Sequence, residues 1–180
     1  MSVLLLAGPP AAGHNTIAEA LCLLRPRVAL VDGDDVRAML RAPQTAPWGS
    51  EEGERQYRLG IRNTCALARG FDADGCDVVI VDVAAPETLP LYRSELHSVQ
   101  DFRTVLLLAD PDILIARDIA RDPDPHPDPA ALTSWHACIR ILHGQLAAES
   151  GRYDRVLDSD RASAAEIAVT LARMLAHRSD

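Results

Sequence analysis

Five short apolar runs punctuate the chain: Val3-Leu4-Leu5-Leu6-Ala7, Val28-Ala29-Leu30-Val31, Val78-Val79-Ile80-Val81-Asp82, Thr104-Val105-Leu106-Leu107-Leu108 and Arg155-Val156-Leu157-Asp158. Continuous apolar runs of this length mark strands covered on both faces. Between them the spacing of apolar positions changes from every residue to every third and fourth. The first helix is expected from about Asn15 to Leu24, ending at Arg25-Pro26 because proline disfavours helix at the residue before it. A short helix opens in Asp32-Gly33-Asp34-Asp35-Val36-Arg37 and reaches about Arg41. A long one runs from Glu51 to about Asp72, with Tyr57, Ile61, Cys65, Ala68 and Phe71 on one face and Gly75 ending the turn that follows. Further helices are expected over Pro86 to Val99, from a cap at Asp110 through Arg117 and Arg121, over Ala130 to Glu149, and over Ala164 to His177.

Asp122-Pro123-Asp124-Pro125-His126-Pro127-Asp128-Pro129 interrupts the pattern, since proline at alternate positions forbids both regular helix and central strand. It reads as a lid-like loop within a segment of about 117–130. Strand and helix alternate five times without a repeat. The fold class is therefore α/β: one domain over 1–180, with a five-stranded parallel sheet and helices on both faces. In such sheets ligands bind beyond the carboxyl ends of the strands. Gly13, Asp34 and Asp82 all fall there.

Composition narrows the picture. At 180 residues the chain can bury a full core, and its 48% apolar and 24% charged content is that of a soluble globular domain. A net charge of -8 argues against a nucleic-acid surface. No segment approaches the ~18 apolar residues of a membrane span. Met1 to Ala7 lacks a basic leader, so a signal peptide is not expected and the compartment is expected to be cytoplasmic. Cys22, Cys65, Cys76 and Cys138 are scattered without metal-ligand spacing and read as buried reduced thiols. All 18 basic residues are arginine.

The candidate chemistry starts at the first turn. Gly8-Pro9-Pro10-Ala11-Ala12-Gly13-His14-Asn15-Thr16 joins the first strand to the first helix. This is the frame of the phosphate-binding loop G-x-x-x-x-G-K-[ST], in which backbone N–H groups and a helix N-terminus face an anion. His14 stands where that motif has lysine, and Asn15 where it has serine or threonine. The loop resembles the Walker A motif of small P-loop kinases, and with Asp-Gly-Asp-Asp-Val-Arg at 32–37 the chain is similar to chloramphenicol phosphotransferase, zeta toxin, gluconate kinase and adenylylsulfate kinase.

The resemblance implies a P-loop, nucleoside-kinase-like fold with a small lid, ATP and Mg2+ as cofactors, and a small-molecule substrate. It implies that Gly8, Ala11, Ala12, Gly13, His14, Asn15 and Thr16 bind phosphates. Asp34 would hold the acceptor hydroxyl and take its proton, and Arg37 would bind acceptor or phosphate. Asp82 would hold magnesium directly or through water, and the amide oxygen of Asn15 could ligate it too. Arg117 and Arg121 would neutralise the transferred group. Each has a plainer alternative. His14 could mark a loop that no longer binds a triphosphate. Asn15, Asp34 or Asp35 could be helix caps, and Asp82 could cap the next turn. Arg117 and Arg121 could pair with Asp118 and Asp122.

Trp48 and Tyr57 lie in or near the loop over the acceptor pocket, and aromatic residues number only seven in all. Trp135, His136 and His143 read as packing or solvated positions, and His126 as an exposed one. Two functions follow. The first is ATP-dependent phosphotransfer to a hydroxyl of a small metabolite or antibiotic. The second is a repurposed loop that binds an anionic small molecule and does acid–base chemistry through His14, or binds nucleotide without catalysis.

Overall fold

The computed structural model describes residues 1–43, 45, 50–121 and 129–176, with the backbone alone for 129–131 and 176. Trp48 and the proline-rich run 122–128, including His126, lie outside the described residues, as does Asp122.

Strands β1 (Val3–Ala7), β2 (Val28–Asp32), β3 (Asp77–Asp82), β4 (Phe102–Leu108) and β5 (Arg155–Asp158) form one sheet. Their order is β2-β3-β1-β4-β5, and every pair is parallel. Helices α1 (His14–Cys22), α2 (Gly33–Ala38), α3 (Glu51–Ala73), α4 (Leu89–Glu95), α5 (Pro111–Arg121), α6 (Pro129–Ala148) and α7 (Ala164–Ala176) fill the connections. Alternation along β1 divides the core. Val3, Leu5 and Ala7 pack with Ile61, Cys65 and Ala68 of α3 and with Leu89 and Tyr92 of α4. Leu4 and Leu6 pack with Ile17 and Leu21 of α1, Leu114 of α5 and Leu171 of α7. Register sets the strand ends together: Ala7 pairs with Asp82, and Asp32 with Val81. The loop after β1 and the carboxylates of β2 and β3 therefore share one edge of the sheet.

Several expectations shift in detail. The helix expected over Pro86 to Val99 is only α4, because the chain first turns through Ala84 at φ 43. Phe71 is 41% exposed rather than core, because the end of α3 borders an open groove with Met39 and Leu67. Of the cysteines, which are all free, Cys65 alone is fully buried and burial pushes its thiol up to about 12. Gly75 does end α3, at φ 80.

Two glycines are fixed by close approach. A Cβ on Gly33 would stand 2.5 Å from Asp82 Oδ2, and one on Gly60 would stand 2.4 Å from Arg37 Cγ. Gly70, in the same helix as Gly60, would meet nothing within 4 Å. Gly33→Ala is therefore expected to cost about 1–3 kcal/mol by overpacking. Gly70→Ala should stabilise by about 0.4–1 kcal/mol through the unfolded chain. Urea denaturation of the two variants checks the contrast; equal effects would show that the Gly33 slot is slack.

Candidate active site

The loop between β1 and α1 has the backbone of an anion cradle. Gly13 caps α1 at φ 90 and ψ 16, in the left-handed region, and α1 begins with no side-chain cap. Its first amides are thus left facing the loop, where an anion would complete them. Ala11 is also left-handed at φ 64, a conformation that disfavours a side chain. Gly8 serves a different purpose: a Cβ there would meet the Leu107 carbonyl at 2.9 Å. Ala12 is buried, and its N–H closes a turn on the Pro9 carbonyl at 3.1 Å. Thr16 is exposed on the first turn.

His14 is half-buried at the head of α1. Burial lowers its pKa below the ordinary histidine value; the charges of Asp82, Asp32 and Asp34 oppose this, and that of Arg121 adds to it. The imidazole is therefore neutral near pH 7. Asn15 does not cap the helix. Its Nδ2 donates to Asp32 Oδ2 at 2.7 Å, and Asp32 Oδ1 accepts the Asp34 N–H at 2.8 Å. Asp32, rather than Asp34 or Asp35, is thus the N-cap of α2.

Asp34 and Asp82 are joined by one arginine. Arg37 Nη1 and Nη2 donate to Asp82 Oδ2 and Oδ1 at 2.7 and 2.9 Å, and Nη2 also reaches Asp34 Oδ1 at 2.6 Å. Burial works against its charge, but the hydrogen bonds and charge of Asp82, then of Asp34, hold Arg37 above the ordinary arginine range. Its guanidinium carbon lies 4.9 Å from the centroid of the Tyr57 ring. The Asp82 side chain is 0% exposed and that of Asp34 87%.

Asp82 Oδ2 also accepts the Tyr92 hydroxyl at 2.5 Å, and Oδ1 the Val83 N–H at 2.7 Å. Those four bonds use the roughly four acceptor sites of a carboxylate. Expected to hold magnesium, Asp82 has no acceptor site left for direct coordination in this arrangement and serves as the anchor of Arg37. Burial and the Asp82 charge push the Tyr92 hydroxyl well above the usual tyrosine range, so it donates without ionising.

The two arginines of α5 part company. Arg117 Nη1 and Nη2 donate to the Ser159 hydroxyl and carbonyl at 3.2 and 2.7 Å, tying α5 to the turn after β5. Arg121, 67% exposed, donates to Asp118 Oδ1 at 2.8 Å. Asp118 is nearly buried and also accepts from Trp135 Nε1 at 2.9 Å, with His136 Nε2 at 3.7 Å. Trp135 thus has a specific partner, and Asp118 holds the lid arginine as one of the two expected alternatives had it.

The strand edge therefore brings together His14, Asn15, Asp34, Arg37 and Asp82, with Arg121 close enough to influence His14. Arg117 is held at the carboxyl end of β5, the edge strand at the opposite side of the sheet from β2. Tyr57 joins the cluster through Arg37 and lines a cavity of about 550 Å³ between α2 and α3. Asp32 and Tyr92 were not anticipated. Asp32 could have been found as the first carboxylate of Asp-Gly-Asp at a strand end. Tyr92 carries no sequence signal. Among the described residues, no group of three or more His, Cys, Asp or Glu could hold a metal ion by itself, and no helix is long and apolar enough to cross a membrane.

No family profile matches the chain, and no curated protein matches it in sequence. Solved structures do match. The tunicamycin resistance protein of Deinococcus radiodurans superposes with a TM-score of 0.70 at 14% identity, over 98% of this chain and 96% of that one. Shikimate kinase from Acinetobacter baumannii, in complex with shikimate, gives 0.68 at 18% identity over 98% and 93%. The APS kinase of Mycobacterium tuberculosis, in complex with AMPPNP and APS, gives 0.66 at 19% identity over 98% of both chains. The expected five-stranded, all-parallel architecture is thus the P-loop kinase fold.

Proposed function

We propose that this P-loop kinase fold transfers a phosphoryl group from ATP to a hydroxyl of a small molecule. One observation carries the reading: an uncapped α1, opened by the left-handed Gly13 and Ala11, faces the same strand edge as an exposed carboxylate, Asp34, held by a half-buried arginine. The loop amides would bind the phosphates. Asp34 would accept the proton of the attacking hydroxyl, with its orientation set by Arg37 and, through Arg37, by Asp82. Arg121, whose charge acts on His14, would cover the charge on the transferred group.

The residues present also fit a divalent ion at one point. Asp32 keeps lone pairs beyond its two hydrogen bonds, and the amide oxygen of Asn15, whose nitrogen it binds, lies on the same side chain. Magnesium there would neutralise charge on the outer phosphates. The kinase structures of the same fold, one bound to AMPPNP and APS and another to shikimate, support a nucleotide and a small hydroxylated acceptor for this chain as well.

A second reading rests on His14. Its lowered pKa suits a proton carrier rather than a permanent cation, as a repurposed loop would need. Calorimetry with ATP, with and without magnesium, tests nucleotide binding directly. Gly13→Val should abolish it, because a side chain would fill the cradle and a β-branched residue is strained at φ 90; the only described neighbour within 4 Å is Ile17 Cδ1 at 3.9 Å, so the effect should stay in the loop and leave the fold in place. Undiminished ATP affinity in the variant would show that the loop is not the nucleotide site.

A further inference from the structure

The cavity between α2 and α3 has a chemistry of its own. Val36, Met39, Leu40 and Leu59 give it an apolar wall, and its volume of about 550 Å³ is that of a small-molecule site. Among the described lining residues Arg37 alone carries a charge. That charge is not on offer. It faces two carboxylates at 2.6–2.9 Å, so the local sum is negative, and its stem is locked against Gly60. Turning Arg37 to a ligand would strip a fully buried Asp82 of its cation, which is strongly unfavourable. Gln56 is also committed: its Oε1 accepts the Thr45 N–H at 3.1 Å, and its Nε2 donates to the Pro43 carbonyl at 3.0 Å and to Glu52 Oε1 at 2.7 Å. Asn63 is different. It is exposed on the cavity wall, and its amide has no hydrogen-bond partner among the described residues.

From this lining we infer that the acceptor is an electrically neutral molecule, largely apolar, with a polar group for the Asn63 amide besides the hydroxyl that reacts. Carboxylated, sulfated and phosphorylated acceptors are rejected, because the described wall holds no unpaired cation to replace the water they lose. The inference rests on the phosphotransfer reading for the word acceptor, and on the cavity for its selectivity.

Ligand-observed NMR on the full chain tests it, with a fragment set in which every acid is paired with its methyl ester or amide, shikimic acid and methyl shikimate among them. Binding is assigned to the cavity when it is lost in Leu59→Trp, which fills the wall from a position 40% exposed. Neutral members should bind about tenfold more tightly than their acids, a difference of about 1.4 kcal/mol. Met39→Arg, at a wall position 69% exposed, should shift the preference towards the acids by adding an uncompensated cation. Acids that bind as well as their neutral partners overturn the inference, and so does a set in which no neutral member reaches the cavity. ATP calorimetry on the same sample separates the premise. Neutral preference without ATP binding overturns phosphotransfer alone, whereas ATP binding with acid preference overturns this inference alone.

Discussion

Asparagine in place of Asp34 is expected to cut turnover by about 10²–10⁴-fold while leaving nucleotide affinity nearly unchanged. The reason is positional. Asp34 is 87% exposed, so its carboxylate is open to an acceptor, yet Arg37 Nη2 fixes one oxygen at 2.6 Å and leaves the other to take a proton. The amide keeps the shape and the hydrogen bond but cannot accept that proton. Asp34 does not cap α2, since Asp32 does, so folding stability should change little. Steady-state rates with the neutral acceptor, beside ATP titrations, separate the two effects. A variant that turns over at near-normal rate removes Asp34 from the chemistry.

The second large effect concerns stability. Arg37→Ala should cost about 3–5 kcal/mol, because it leaves Asp82 buried without its cation. At roughly 2–4 °C per kcal/mol for a domain of this size, melting should fall by about 6–20 °C. Replacing both partners, Arg37→Met with Asp82→Asn, removes the buried charge and keeps an acceptor beside the Tyr92 hydroxyl and the Val83 N–H, so it should recover part of the loss. Thermal melts of the single variant within about 2 °C of the wild type would show that the pair does not hold α2 to β3.

The strands and the loop were legible because their signals are local. An apolar run followed by Gly8 and Gly13 specifies a strand, a turn and a helix within sixteen residues, and the structure follows. The placement of Asp34 and Asp82 at one edge was legible for the same reason, through strand ends. The network between them was not. Arg37 and Asp82 are separated by 45 residues, and Tyr92 follows Asp82 by 10, across a turn whose path depends on Ala84. Gly60 looks like an ordinary weak point in α3; its reason lies in the Arg37 stem that crosses it. Helical spacing placed Arg117 and Arg121 on one face, but it could not show that Ser159 captures the first and Asp118 the second. Phe71 satisfied the period and is nevertheless exposed, because periodicity does not reveal where the neighbouring layer ends.

His14 bears on the central claim most directly. With its pKa lowered by burial it is neutral near pH 7 in the free protein, and bound phosphates would favour its cation. Binding ATP then takes up a proton, so affinity should weaken as pH rises above the free pKa and level off beyond the raised pKa of the complex. His14→Lys stays charged throughout, and the ratio of the two affinities removes the ionisation of ATP itself. The measurement is ATP affinity and acceptor phosphorylation for both proteins between about pH 6 and 9. Phosphotransfer predicts that wild-type affinity falls relative to the lysine variant as pH rises, and that the variant phosphorylates at least as fast. A wild type that binds no ATP at any pH, with an inactive lysine variant, would contradict it.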